Sequence, residues 1–153
     1  MGTSRYDFRS TWHLNAAPGD VYAVLERVPD YPMWWPQVRS VTPRGDGAYE
    51  LVCRSSLPYE LRFTTTQSVR DPVDRVLEAS MTGDLEGFSR WSIGVDADGT
   101  LATFEEDVVA NKALLRRLEP LARPAFRANH SKMMRDGERG LRTFLAGYRA
   151  RLD

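Results

Sequence analysis

Ala17-Pro18-Gly19-Asp20-Val21-Tyr22-Ala23-Val24-Leu25, followed by Tyr31-Pro32-Met33-Trp34-Trp35-Pro36, is the stretch on which the fold turns. Pro18 suits the first turn of a helix, and Asp20 places negative charge near the positive end of its dipole. Val21, Leu25 and Val28 form a short apolar stripe, which Pro29 ends. Tyr31 to Val38 holds three aromatics and two prolines in eight residues. It reads as a one-turn helix with a proline at each end. Trp34 and Trp35 are adjacent, so the expectation is that at least one of them lies at a pocket mouth or on the surface.

Outward from this pair of short helices, the chain before it reads as one strand and the chain after it as a series. Tyr6, Phe8, Ser10, Trp12 and Leu14 share one face of a strand over Tyr6 to Leu14. Val38 to Pro43 leads into Gly45-Asp46-Gly47, a strong hairpin signal. Tyr49 to Ser55 sets Tyr49, Leu51 and Cys53 against Glu50, Val52 and Arg54. Glu60 to Val69 puts Leu61, Phe63, Thr65, Gln67 and Val69 on one face, and Asp71-Pro72 stops it. Leu77, Ala79 and Met81 group on Arg75 to Met81. Trp91, Ile93 and Val95 group on Ser89 to Val95. Gly83 to Gly87 reads as a loop. Ala102, Phe104, Glu106 and Val108 share a face of Leu101 to Val109. Consecutive hairpins with one apolar face each describe an antiparallel meander.

The C-terminal pattern is helical from about Pro124 to Tyr148. Phe126, His130, Met133, Gly137, Leu141, Phe144 and Tyr148 step by three or four residues along one face, which Met134 and Leu145 broaden. A strand, two small helices, a meander and one long closing helix is the order of an α+β fold. In it a curved sheet wraps a helix and leaves an apolar cavity between them.

Bulk properties exclude several function classes. The 153 residues carry 21 basic and 21 acidic side chains, so no net field draws the protein to nucleic acid or anionic lipid. Arginines supply 19 of the 21 basic residues and are dispersed. A single cysteine, Cys53, rules out an internal disulfide framework and gives no zinc spacing. No stretch approaches the roughly 20 apolar residues of a membrane span, and no apolar signal core stands at the N-terminus. The expectation is one domain over residues 1–153 in a cytoplasmic protein without stable membrane insertion. There is no nucleophile elbow of the G-x-S-x-G type and no phosphate-cradling loop.

The helix start Ala17-Pro18-Gly19-Asp20-Val21-Tyr22, the Tyr31-Pro32-x-Trp34 segment, the strand count and the run Met133-Met134-Arg135-Asp136-Gly137-Glu138-Arg139-Gly140-Leu141 carry a family resemblance. Over essentially its whole length the chain resembles the START-like, helix-grip (SRPBCC) superfamily, in its polyketide cyclase/dehydrase and lipid transport branch. That resemblance implies an elongated pocket for lipids, polyketides or similar apolar molecules, with no metal and no organic cofactor, and leaves a homodimer open. Aromatase/cyclases of the family share a strand arginine and a tyrosine after the second short helix. The matching positions here are Ser68 and Val38, with Arg70 and Arg39 close by in register.

His130 is the sharpest candidate for chemistry: a histidine on the apolar face of the closing helix can act as a general acid/base or as a satisfied core residue. Strict alternation turns the carboxylate of Glu106 inward, where it needs a partner. Glu106 beside His130 would make an orienting pair, whereas a bulge would turn Glu105-Glu106-Asp107 out to solvent. The expected pocket wall comprises Trp34, Trp35 and Trp91 as flat stacking surfaces, Leu51 and Cys53, Leu61, Phe63 and Thr65, and Met81 and Phe104. Met133, Met134 and Gly137 complete it from the closing helix. Gly137 reads either as room for a ligand or as tight helix–sheet packing, and Cys53 as inert core. Tyr59 is a further polar candidate. Three functions follow: a carrier or sensor of an apolar small molecule, an aromatase/cyclase or dehydratase acting on a poly-β-ketone, and a partner-binding domain.

Overall fold

In the computed structural model, residues 5–54, 60–111 and 123–152 are described. Strand β1 (Arg5–Leu14) leads into helix α1 (Pro18–Glu26) and a 3-10 helix (Val28–Met33). Six strands follow: β2 (Val38–Gly45), β3 (Ala48–Arg54), β4 (Glu60–Asp71), β5 (Val76–Gly83), β6 (Leu85–Asp96) and β7 (Gly99–Ala110). Helix α2 (Arg123–Leu152) closes the chain. The strands form one antiparallel sheet in the order β1-β7-β6-β5-β4-β3-β2. Every pairing except β1 with β7 joins strands adjacent in sequence, as a meander requires. This is the helix-grip fold.

The hairpins depend on a few backbone positions. Gly45, Asp46 and Gly47 all take positive φ between β2 and β3. The Gly83 to Gly87 stretch is not a loop: β5 runs to Gly83, β6 starts at Leu85, and Gly87 pairs with Val108 inside the sheet. A Cβ on Gly87 would lie 2.0 Å from the carbonyl oxygen of Asp107, so two backbones can approach there only with glycine. Two expected face assignments also change. A register shift between Gln67 and Val69 in β4 turns Val69 out, where it is 37% exposed. Val95 keeps regular pairing but lies beyond the edge of the core at the end of its hairpin, and is 75% exposed.

The 3-10 helix begins at Val28 rather than at Tyr31, and Pro29 sits in its first turn. Trp34 and Trp35 follow its end, and both are buried. This corrects the expectation that one of them would be exposed. Both rings find cover because the segment is wedged between the sheet and α2. Trp34 and Trp35 stack at 5.3 Å, and Trp12 meets Trp34, Trp35 and Trp91 at 6.2, 5.4 and 4.8 Å. All four tryptophans of the chain therefore form one cluster, each ring capable of burying ~150–250 Å². The Tyr31 hydroxyl donates to the Leu25 carbonyl at 2.6 Å and ties the 3-10 helix to α1.

Helix α2 seats on this cluster through two glycines. A Cβ on Gly137 would lie 2.7 Å from the Trp35 ring, and one on Gly140 would lie 1.7 Å from the Trp34 carbonyl oxygen. Close approach lets the Trp35 indole N–H donate to the Met133 carbonyl at 2.9 Å. Gln37 donates to Asp136 at 2.8 Å, the His13 amide to Glu138 at 2.9 Å, and Arg142 to the His13 carbonyl at 2.9 Å. The buried face of α2 centres on Phe126, Met134, Leu141 and Leu145, with Met133 and Phe144 partly covered. Tyr148's side chain lies outside the described set.

Gly137→Ala and Gly140→Ala should each destabilise the protein by about 1–3 kcal/mol, although alanine gains about 1 kcal/mol in helix propensity. Gly147→Ala is the internal control: its new methyl meets nothing within 4 Å, so stability should rise by up to about 1 kcal/mol. Urea unfolding followed by tryptophan fluorescence reads all three. Equal gains at the three positions would show that the helix does not sit against the tryptophans in this way.

Candidate ligand cavity

Among the described residues, a cavity lies between the inward faces of the strands and the buried side of α2. Its volume is about 140 Å³, measured as the space open to the centre of a water-sized sphere. One water needs about 10–15 Å³ on that measure, so the space suits a molecule of roughly ten or more non-hydrogen atoms.

Most of the expected wall residues line this cavity. Leu51 and Cys53 come from β3, Leu61, Phe63 and Thr65 from β4, and Met81 from β5. Trp91 and Phe104 face it from β6 and β7, Trp35 from the segment after the 3-10 helix, and Met133 and Met134 from α2. Trp34 and Gly137 are not on the wall. Trp34 borders a shallow outer groove beside Phe144 and Lys132 instead. Gly137 is the seat for the rings of Trp35 and Trp12, so its missing side chain accommodates the protein's own tryptophans rather than a ligand. Tyr59 lies outside the described residues. Sequence reasoning passed over Phe8, Tyr31, Leu77 and Phe126 as wall residues. Phe8, Leu77 and Phe126 already stood on apolar faces, so alternation and helical spacing carried the signal. Nothing local marked Tyr31, which is brought in by the 3-10 helix.

A histidine–carboxylate pair stands on the cavity wall. Strand β7 pairs without a register shift on both sides, so no bulge diverts Glu106 outward, and it is 7% exposed. Its Oε1 lies 3.1 Å from Nε2 of His130 on α2. The His130 ring stacks on Phe8 at 3.7 Å with an interplanar angle of 9°, which holds the imidazole plane. Phe8 and Glu106 are themselves directly opposed across the β1–β7 ladder. Ser89 opposes Glu106 on the other side, and Asn129 lies next to His130 on the cavity wall. The arrangement can orient an imidazole, hold a proton between two groups, and offer a hydrogen-bonding point to a ligand otherwise surrounded by hydrocarbon.

The positions matched to the aromatase/cyclase arginine and tyrosine take other roles. Val38 lines the cavity as an apolar contact, and Ser68 occupies the irregularity in β4. Arg70 is turned to the outside, where it pairs with Glu26 at 2.6 Å, and Arg39 is exposed. Glu78 also borders the cavity and is held by Arg90 at 2.7 Å. Among the described residues no group of three His, Cys, Asp or Glu side chains is placed to hold a metal ion, and no helix is long and apolar enough to cross a membrane.

Comparison with known proteins identifies this arrangement. Residues 5–143 match the family described as polyketide cyclase/dehydrase and lipid transport. The chain belongs to that family. Its fold is similar to that of the Zhui aromatase/cyclase from a Streptomyces species (16% identity, 93% of this chain and 94% of that one, TM-score 0.73). It is also similar to a START superfamily protein from Mycobacterium smegmatis (13% identity, 94% and 98% covered, TM-score 0.71). The di-domain ARO/CYC BexL matches over 50% of its own length and 92% of this chain, at 19% identity and TM-score 0.70. A search of curated protein sequences finds no match.

Burial, and secondarily the negative field of Glu106, push the Cys53 thiol up to about 12. The thiol is therefore neutral in the native protein. Alkylation of native Cys53 at pH 8 should run at least about a hundredfold slower than after unfolding. Because the folded value lies above the unfolded one, the unfolded state binds fewer protons at alkaline pH. Stability should fall as pH rises above about 8.5, and Cys53→Ala should flatten that fall up to about pH 10, where the buried Tyr31 hydroxyl, also pushed up by desolvation, begins to contribute. Maleimide labelling and unfolding curves at several pH values check both. Rapid labelling of folded protein at pH 8 would show an accessible thiolate instead.

Proposed function

We propose that this protein binds an apolar small molecule in the cavity between the sheet and α2. The observation that carries this reading is the wall itself: aromatic and aliphatic side chains contributed by every layer of the fold, with the His130–Glu106 pair set among them. Family membership supports it. A ligand that loses a few hundred Å² of apolar surface gains several kcal/mol at about 25 cal/mol/Å², before the costs of association are deducted. That is in the range of micromolar binding without any catalytic group. A neutral overall charge and a lone buried cysteine support action in the cytoplasm, independent of nucleic acid.

A second reading is favoured by one observation, the 3.1 Å contact between His130 and Glu106 at the cavity wall. In it the protein is a cyclase or dehydratase of a poly-β-ketone. The cavity folds the chain into a near-attack conformer away from water, and the pair moves protons during aldol closure and loss of water. His130 is the proposed acid/base and Glu106 the group that orients it.

Native mass spectrometry of the purified protein, with identification of any co-purified small molecule, tests the first reading. Titration with an apolar fluorophore should also change the emission of Trp35 and Trp91, and Trp91→Phe should diminish that change. His130→Ala separates the two readings: a carrier keeps most of its affinity, whereas an enzyme loses at least about a hundredfold in turnover with binding retained. Failure of the protein to retain or bind any apolar molecule would remove both.

A further inference from the structure

Glu106 has capacity left over. Its Oε1 meets His130, and among the described residues no other hydrogen bond reaches the side chain, although it is more than nine-tenths buried and lines the cavity. An ionised carboxylate offers about four acceptor sites and no donor. The carboxylate lines the cavity, so a ligand there can supply a further donor.

The charge around it points the same way. Glu78, the other carboxylate at the wall, is matched by Arg90 across the sheet. No lysine or arginine lines the cavity among the described residues. A ligand carboxylate or phosphate would be stripped of water and placed beside Glu106 with no lysine or arginine to receive it. A neutral hydroxyl or amide N–H would instead complete the hydrogen bonding of Glu106.

Resting on the ligand-binding reading above, we propose that the cavity selects uncharged molecules carrying an O–H or N–H donor at one end. That donor bonds to Glu106 Oε2, and Glu106 thereby sets specificity against anionic ligands. The remainder of the ligand lies along aromatic wall, with Phe104 and Trp91 packed against each other at 4.7 Å next along the sheet. Fatty acids and acyl phosphates are then excluded as anions, whereas phenols, alcohols and amides of similar size are accepted.

Three matched probes test this: 1-naphthol, 1-methoxynaphthalene and 1-naphthoate, titrated at pH 7.5 by calorimetry and tryptophan quenching. The naphthol should bind at least about tenfold more tightly than the ether, which lacks the donor, and than the carboxylate, which adds a charge. Glu106→Gln keeps the side-chain shape and removes the negative charge, so it should raise affinity for the naphthoate and narrow its gap to the naphthol several-fold. Circular dichroism confirms that the variant is folded, and Asp107→Asn, on the solvent side of β7, controls for a general change in charge. Naphthoate binding as tightly as naphthol, or a gap unmoved in Glu106→Gln, overturns the selectivity while leaving ligand binding intact. Binding of the ether equal to the naphthol overturns the donor requirement. Failure of all three probes overturns the cavity reading itself.

Discussion

The rest of the molecule depends on the contact between the Trp34–Trp35 segment and helix α2. Two large rings and a backbone carbonyl occupy the space where Gly137 and Gly140 have no side chains. The Trp35 indole N–H reaches a helix carbonyl that larger residues would screen. This contact fixes the depth at which α2 lies over the sheet, and that depth decides how much space remains between them. The cluster of four tryptophans fills one end of the interior solidly, and the cavity begins where their cover stops. Closing the fold and leaving it hollow are thus two results of one packing arrangement.

Within that hollow, the physical tension is between hydrocarbon and the Glu106 carboxylate. A carboxylate so deeply buried is tolerated because His130 approaches from the opposite layer, with Phe8 holding the imidazole ring flat. The pair spans the sheet and the helix, so it also reports on their separation. The pair sets a polar point in a wall made mostly of aromatic and aliphatic side chains. The same argument bears on Cys53, whose thiol is kept neutral by burial and by the field of Glu106.

Much of the fold was legible in residue order. Alternation marks six of the seven strands, the Gly45-Asp46-Gly47 turn marks β2, and the three- and four-residue spacing marks α2, because a sheet or helix buried on one face must repeat its apolar residues with its own period. Most wall residues followed directly, since the concave face of the sheet is its apolar face. The misreadings have specific causes. Alternation puts Val69 on the inner face, because a one-residue irregularity in β4 leaves no mark in composition. Gly83 to Gly87 looked like a loop because glycine in a strand is recognised only when the neighbouring backbone is seen, here at Asp107. Trp34 and Trp35 were expected to divide between inside and outside, because adjacent residues do so on regular elements. They lie beyond the end of a 3-10 helix, where that rule does not hold.

The order and type of the elements, the apolar face of most of them and the place of His130 on the apolar stripe of α2 follow from local periodicity, which left Glu106 either inward or turned out by a bulge. It takes the packing of the layers to keep β7 regular so that Glu106 meets His130 at 3.1 Å, to fill the space at Gly137 with tryptophan rings, and to pair Arg70 with Glu26 outside the cavity. Those outcomes depend on the distance and rotation between layers. Side chains far apart in the chain set these jointly, and no local pattern encodes them.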